Sequence, residues 1–165
     1  MGRARVAGKQ VASAVGFAWV LRRLGKRSEA LTELHRAVQG LEALANRDPA
    51  DARFPEDLGL ALRALADHRL EIGDTAGAER DLQRSLALLE PLYQANPRNL
   101  SLLRDLADCY QGLGDLSASR SNWKQAQGWY RLDLAARLVA EAAKKTSKKS
   151  SPRLAVSRPV SEGIR

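Results

Sequence analysis

Residues 62–74, Leu-Arg-Ala-Leu-Ala-Asp-His-Arg-Leu-Glu-Ile-Gly-Asp, and residues 103–115, Leu-Arg-Asp-Leu-Ala-Asp-Cys-Tyr-Gln-Gly-Leu-Gly-Asp, read nearly alike. Seven of these thirteen positions are identical at a shift of 41, far more than composition alone provides, so the chain repeats itself. A second match, at a shift of 48, superposes Gly25 on Gly73, Ala30 on Ala78, Leu34 on Leu82, Arg36 on Arg84, Leu41 on Leu89, Leu44 on Leu92 and Pro49 on Pro97. Together the two matches predict three copies of a helix-turn-helix unit. The shifts differ by seven, which predicts a longer connector from Ala50 to Glu56 between the first and second units.

Outward from these matches the apolar period is helical. Leu31, Leu34, Val38, Leu41 and Leu44 follow steps of three and four, as do Leu82, Leu86, Leu89 and Leu92, and each set forms one stripe on a helix. Stop and turn residues separate the stripes at Gly25, Asp48-Pro49, Gly73-Asp74, Asn96-Pro97 and Gly114-Asp115. Six helices are predicted, over Lys9–Leu24, Ser28–Asn46, Pro55–Ile72, Thr75–Ala95, Asn99–Leu113 and Ser117–Lys144.

The units resemble the tetratricopeptide repeat, whose pattern is W-x2-L-G-x2-Y, then a turn glycine, then A-x3-F. The third unit carries Leu103, Leu106, Ala107, Tyr110, Gly114, Ser119, Trp123 and Ala126 at that spacing. The second carries Leu62, Leu65, Ala66, Arg69, Gly73, Ala78, Leu82 and Ser85, and the first Ala14, Phe17, Ala18, Leu21, Gly25, Ala30, Leu34 and Ala37. Small side chains at these places let two helices lean together, and the glycines permit a tight turn between them. The second helices run about two turns longer than the family's, a form similar to units appended to bacterial signalling proteins such as serine/threonine kinases. The kinase motifs themselves, a Gly-rich loop, an H-R-D loop and a D-F-G, do not occur.

The resemblance implies an all-α fold, a right-handed α-α superhelix of three helical hairpins over residues 1–143, with units at about 9–49, 55–97 and 99–143. It implies a protein or peptide held on the concave face formed by the first helices. The positions it assigns to that face are Val15, Trp19, Arg22, Arg63, Asp67, Arg104, Asp108 and Gln111. Trp19 is the expected anchor, an aromatic body with an N–H handle. Arg63 with Asp67 and Arg104 with Asp108 stand four apart, as intrahelical ion pairs do. An arginine ladder for carboxylates is the functional alternative. The chaperone-tail clamp of some family members has asparagine where Asp67 and Asp108 stand, and an acid there repels a carboxylate.

Chemistry of another kind finds no footing. His35 and His68 lie in different helices with no ligand constellation around them, so no metal or other cofactor is expected. Cys109 has no second thiol to pair with and no histidine in its unit, which predicts a half-buried, inert thiol and a reducing cytoplasmic setting, and with no G-x-S-x-G, Walker loop or paired-carboxylate arrangement no enzymatic activity is expected. The longest apolar stretch, Val11–Leu21, is eleven residues, short of the roughly 20 that span a bilayer. Lys9, Gln10, Arg22 and Arg23 frame it as a first structural helix rather than a leader.

The net charge of +8 gathers at the ends. Residues 1–27 hold seven basic side chains and no acid, residues 144–165 hold seven against Glu162, and the body between them is acidic by five. The lysine-rich end, Lys144 to Arg165, has no apolar period and is predicted to be a disordered basic tail. Two alternatives to the scaffold follow: a nucleic-acid adaptor working through the basic ends, and a regulatory fragment of a bacterial serine/threonine kinase. The last helix carries its own stripe of Trp123, Trp129, Tyr130, Leu134 and Leu138, which either caps the stack or docks a partner or a second copy.

Overall fold

The computed structural model describes residues 2–48, 51 and 53–150, with side chains from residue 13 to residue 146 within that span. It contains six α-helices and, among the described residues, no strand. They are α1 (Gly2–Arg23), α2 (Arg27–Arg47), α3 (Arg53–Glu71), α4 (Thr75–Ala95), α5 (Leu100–Ser119) and α6 (Trp123–Ser150). Each helix packs on the next in sequence, α1 also touches α3, and α3 touches α5. Among the described residues α1 and α6 do not approach each other.

One period governs the turns. Gly25, Gly73 and Ser121 adopt φ of 76°, 84° and 57°, and they lie 48 residues apart. The same backbone bond closes each turn: Lys26 N to Leu21 O, Asp74 N to Arg69 O and Asn122 N to Ser117 O, all 2.9 Å. Asp74 accepts from the amide of Gly77 and Asn122 from that of Gln125, so the side-chain caps of α4 and α6 also correspond. Connectors obey it too, since Asp48 N bonds Leu44 O and Asp51 N bonds Asp48 O, as Asn96 N bonds Leu92 O and Asn99 N bonds Asn96 O.

This corrects the turn expected inside the third unit. Gly114-Asp115 is not a turn: α5 runs through it to Ser119 and the chain reverses at Ser121. A glycine inside a helix costs about 1 kcal/mol. Continuing the helix buries Leu116, and full burial of a leucine contributes about 1.5–3 kcal/mol. The match at 41 is a likeness of sequence without a likeness of place. The seven extra connector residues go with it, because the described turns at Asp48–Asp51 and Asn96–Asn99 correspond at 48.

The ends of the first and last helices also differ from expectation. α1 starts at Gly2 rather than Lys9. α6 continues through Lys144, Lys145, Lys148 and Lys149 to Ser150, where a disordered tail was expected. Lysine is a good helix former and no Gly or Pro interrupts the run before Pro152, whose ring disfavours helix at the residue preceding it. Residues 151–165 of the expected tail lie outside the described residues.

The core forms between neighbouring helices. Ala18, Leu21, Leu34, Val38, Leu41, Leu62 and Leu65 share one cluster. Ala66, Leu82, Leu86, Leu89, Leu106, Cys109 and Leu113 share a second, and Leu103, Ala107, Ala136 and Ala140 a third. Small residues set the spacing: a Cβ at Gly59 would stand 2.6 Å from Leu89 Cδ2, and one at Gly112 would stand 2.9 Å from Leu82 Cδ1.

Candidate functional site

The charged residues singled out in the sequence converge on a seam joining α1, α3, α5 and α6. Arg22 of α1 grips Glu71 of α3 with two guanidinium nitrogens, its Nε donating to Glu71 Oε2 at 3.0 Å. Arg63 donates to Asp67 Oδ2 at 3.2 Å and stands 3.9 Å from Asp108 on α5. Arg137 of α6 donates to Asp108 at 3.1 Å and to Gln111 at 2.8 Å. Partly exposed pairs of this kind contribute about 0–1 kcal/mol each, so the seam fixes side-chain positions more than it stabilises the fold.

Burial works against charge along this seam. It pushes the carboxyl of Asp67 above the ordinary range even though Arg63 and Arg22 pull it down, and Asp108 adds to the push. Asp105 is raised for the same reason, by burial first and with Arg63 opposing. Glu56 is raised by burial and by the neighbouring Asp57 and Asp105.

At the α1 end the character changes. Trp19 is 55% exposed, and the Arg23 guanidinium lies 5.3 Å from its ring centroid, within cation–π range. With Arg22, Arg27 and Glu71 these two line a cleft of about 410 Å³. Glu71 is the single acid on that lining and Arg22 engages it; Arg23 and Arg27 form no ion pair among the described residues. The wall is held by His68, whose Nε2–H donates to the carbonyl of Arg27 at 2.8 Å.

Val15 is half-buried against the first cluster. Arg104 is exposed and is no repeat partner of Arg63: the period of 48 puts Val15, Arg63 and Gln111 in one position, and Trp19, Asp67 and Asp115 in another. Arg63 and Arg104 are therefore not equivalent positions of the 48-residue period. Arg104 makes no ion pair with Asp108, whose partners are Arg63 and Arg137. Arg23, Arg27, Glu71 and Arg137 were not singled out in the sequence. Arg23 could have been, standing one helical turn from Trp19, whereas Arg137 reaches Asp108 from 29 residues away with no local pattern to announce it.

Among the described residues no group of three or more His, Cys, Asp or Glu side chains is placed to hold a metal ion, and no helix is long and apolar enough to cross a membrane. Cys109 is fully buried, 3.4 Å from Ser85 Oγ, and burial pushes its thiol up to about 11. Comparison with known protein families and with curated proteins returned no match.

Proposed function

We propose that the chain is a tetratricopeptide-like α-α superhelix of three helical hairpins, a non-catalytic scaffold that holds a partner polypeptide along the face of α1, α3 and α5. Identical turn bonds every 48 residues support the repeat. Contacts among the odd-numbered helices, with no contact between α1 and α6 among the described residues, support an open row. In this register the third unit reads Tyr110, Leu113, Gly114 and Ser117 against Leu62, Leu65, Ala66 and Arg69, which brings a Leu-Gly pair onto the family pattern.

The observation that carries the reading is the Trp19 cleft. An exposed indole beside Arg23 and Arg27 suits a segment that brings an apolar side chain to the ring and a carboxylate to the guanidinium groups. Selection from a random peptide library on the intact chain tests this. Enriched peptides are expected to pair an Asp or Glu with an apolar residue, and to lose at least tenfold in affinity for W19A and for R23E/R27E. Peptides that bind those variants as tightly as the parent would refute the cleft as the binding site.

A further inference from the structure

The α4–α5 junction has two diagnostic contacts. Leu82 of α4 presses on Gly112 of α5, where a Cβ would come within 2.9 Å of it, and Ser85 Oγ meets Cys109 Sγ at 3.4 Å. The period of 48 carries Leu82 and Ser85 to Tyr130 and Asp133 on α6, and carries Gly112 and Cys109 back two units to Gly16 and Ser13 on α1. Both halves of a junction are thus present at opposite ends of the described structure, and no further described helix covers either, although Tyr130 already rests on Gly114 and Asp133 already accepts from Arg137 of its own helix. Phe17 is 53% exposed although its equivalents Leu65 and Leu113 are 2% exposed, and Leu134 is 58% exposed although Val38 and Leu86 are 6% exposed. A groove of about 370 Å³ lies open on α6 between Trp123, Tyr130 and Leu134. Among the described residues nothing lies within 4 Å of where a Cβ of Gly16 would stand, so none of them fills the small position that α5 uses to receive Leu82.

We propose that a second copy of this chain covers the α6 face with its own α1, repeating the α4–α5 junction between molecules. Tyr130 then seats on Gly16 of the second copy, Leu134 packs toward Phe17, and Ser13 offers its hydroxyl to Asp133. A contact between two different faces is heterologous, so it propagates end to end and does not close a symmetric dimer. Residues 13–27 hold Arg22, Arg23, Lys26 and Arg27 and no acid, and Arg131 rims the α6 groove, so the two faces carry like charge. Screening them with salt strengthens the association.

Sedimentation velocity across protein concentration tests the proposal with two variants placed on exposed surface, G16E on α1 and L134E on α6. The parent chain is expected to form a ladder of species that grows with concentration and from 50 to 500 mM salt. Each variant alone is expected to remain monomeric with an unchanged helical melting curve. An equimolar mixture is expected to stop at dimers, because G16E keeps a working α6 face and L134E a working α1 face. A parent that is monomeric at every concentration overturns the proposal. So does a G16E variant that associates like the parent, which would mean an α6–α6 contact, or a mixture no larger than its components.

Discussion

The backbone of Gly114 lies against the ring of Tyr130 so closely that a methyl group on the glycine would come within 2.5 Å of ring carbon Cε1. The Tyr130 hydroxyl donates to Asp115 Oδ1 at 2.7 Å, which pins the ring over that stretch of α5. Ala66 with Leu82 and Ala18 with Leu34 hold the equivalent places, each pair within one core cluster. A glycine where the others have alanine matches a ring where the others have leucine.

Replacing Gly114 with alanine is therefore expected to destabilise the chain. Overpacking of this kind costs about 1–3 kcal/mol, against about 1 kcal/mol gained in helix propensity. Gly128 of α6 has open space around its Cβ position, so G128A is expected to stabilise by up to about 1 kcal/mol. Urea unfolding of the two variants checks the opposite signs.

Ser121 adopts the left-handed conformation that Gly25 and Gly73 occupy at the equivalent turns. A non-glycine residue there is disfavoured by about 1–2 kcal/mol, partly offset because glycine loses more freedom on folding. S121G is expected to raise stability by about 0.5–1 kcal/mol, while S121A brings no gain. Thermal or urea midpoints that leave S121G level with S121A would contradict this.

These effects show what the sequence made legible. Helix content, four of the six helix starts to within a residue or two, and the turns at Gly25 and Gly73 follow from apolar period and stop residues. The third turn did not, because Gly114-Asp115 copies Gly73-Asp74 in letters while Leu113 and Leu116 carry the apolar stripe past it. A corrective signal was present in Ala30, Ala78 and Ala126, spaced by 48 and all buried. Within the site, Arg63 with Asp67 was readable as a local i, i+4 pair. The Arg22–Glu71 and Arg137–Asp108 links join distant helices, and only packing reveals them.

His68 gives stability a pH dependence. Burial lowers its pKa, with Arg22, Arg27 and His35 pressing the same way and the Arg27 carbonyl opposing; Glu71 Oε2 stands 4.0 Å from Nδ1. As pH falls through about 6.5 the unfolded chain takes up a proton that the folded chain resists, so stability is present above that point and lost below it. The raised carboxyls of Asp67, Asp81 and Asp105 act in the opposite sense at more acidic pH, because protonation favours their folded state. Leucine fits the position, as buried Leu116 does one unit on. H68L is expected to remove the loss of stability between pH 7.5 and 6; an unchanged slope in urea unfolding would contradict the assignment.

Cys109 is expected to be silent toward thiol reagents in the folded chain. A buried thiol raised to about 11 holds almost no thiolate at pH 8. Labelling should follow the rate of unfolding and reach one thiol per chain only in denaturant, and prompt native labelling at pH 8 would show that the α3–α4–α5 packing is open.

Backbone chemical shifts and amide exchange across residues 110–126 test the single 48-residue register most directly, since the repeat and the end-to-end contact both rest on it. Helical shifts and slow exchange are expected without interruption from Tyr110 to Ala118, with the break at Ser121 and a new helix from Trp123. A break at Gly114-Asp115, with a helix already formed at Ser117 and continuing through Ser121, would contradict the register and the reading built on it.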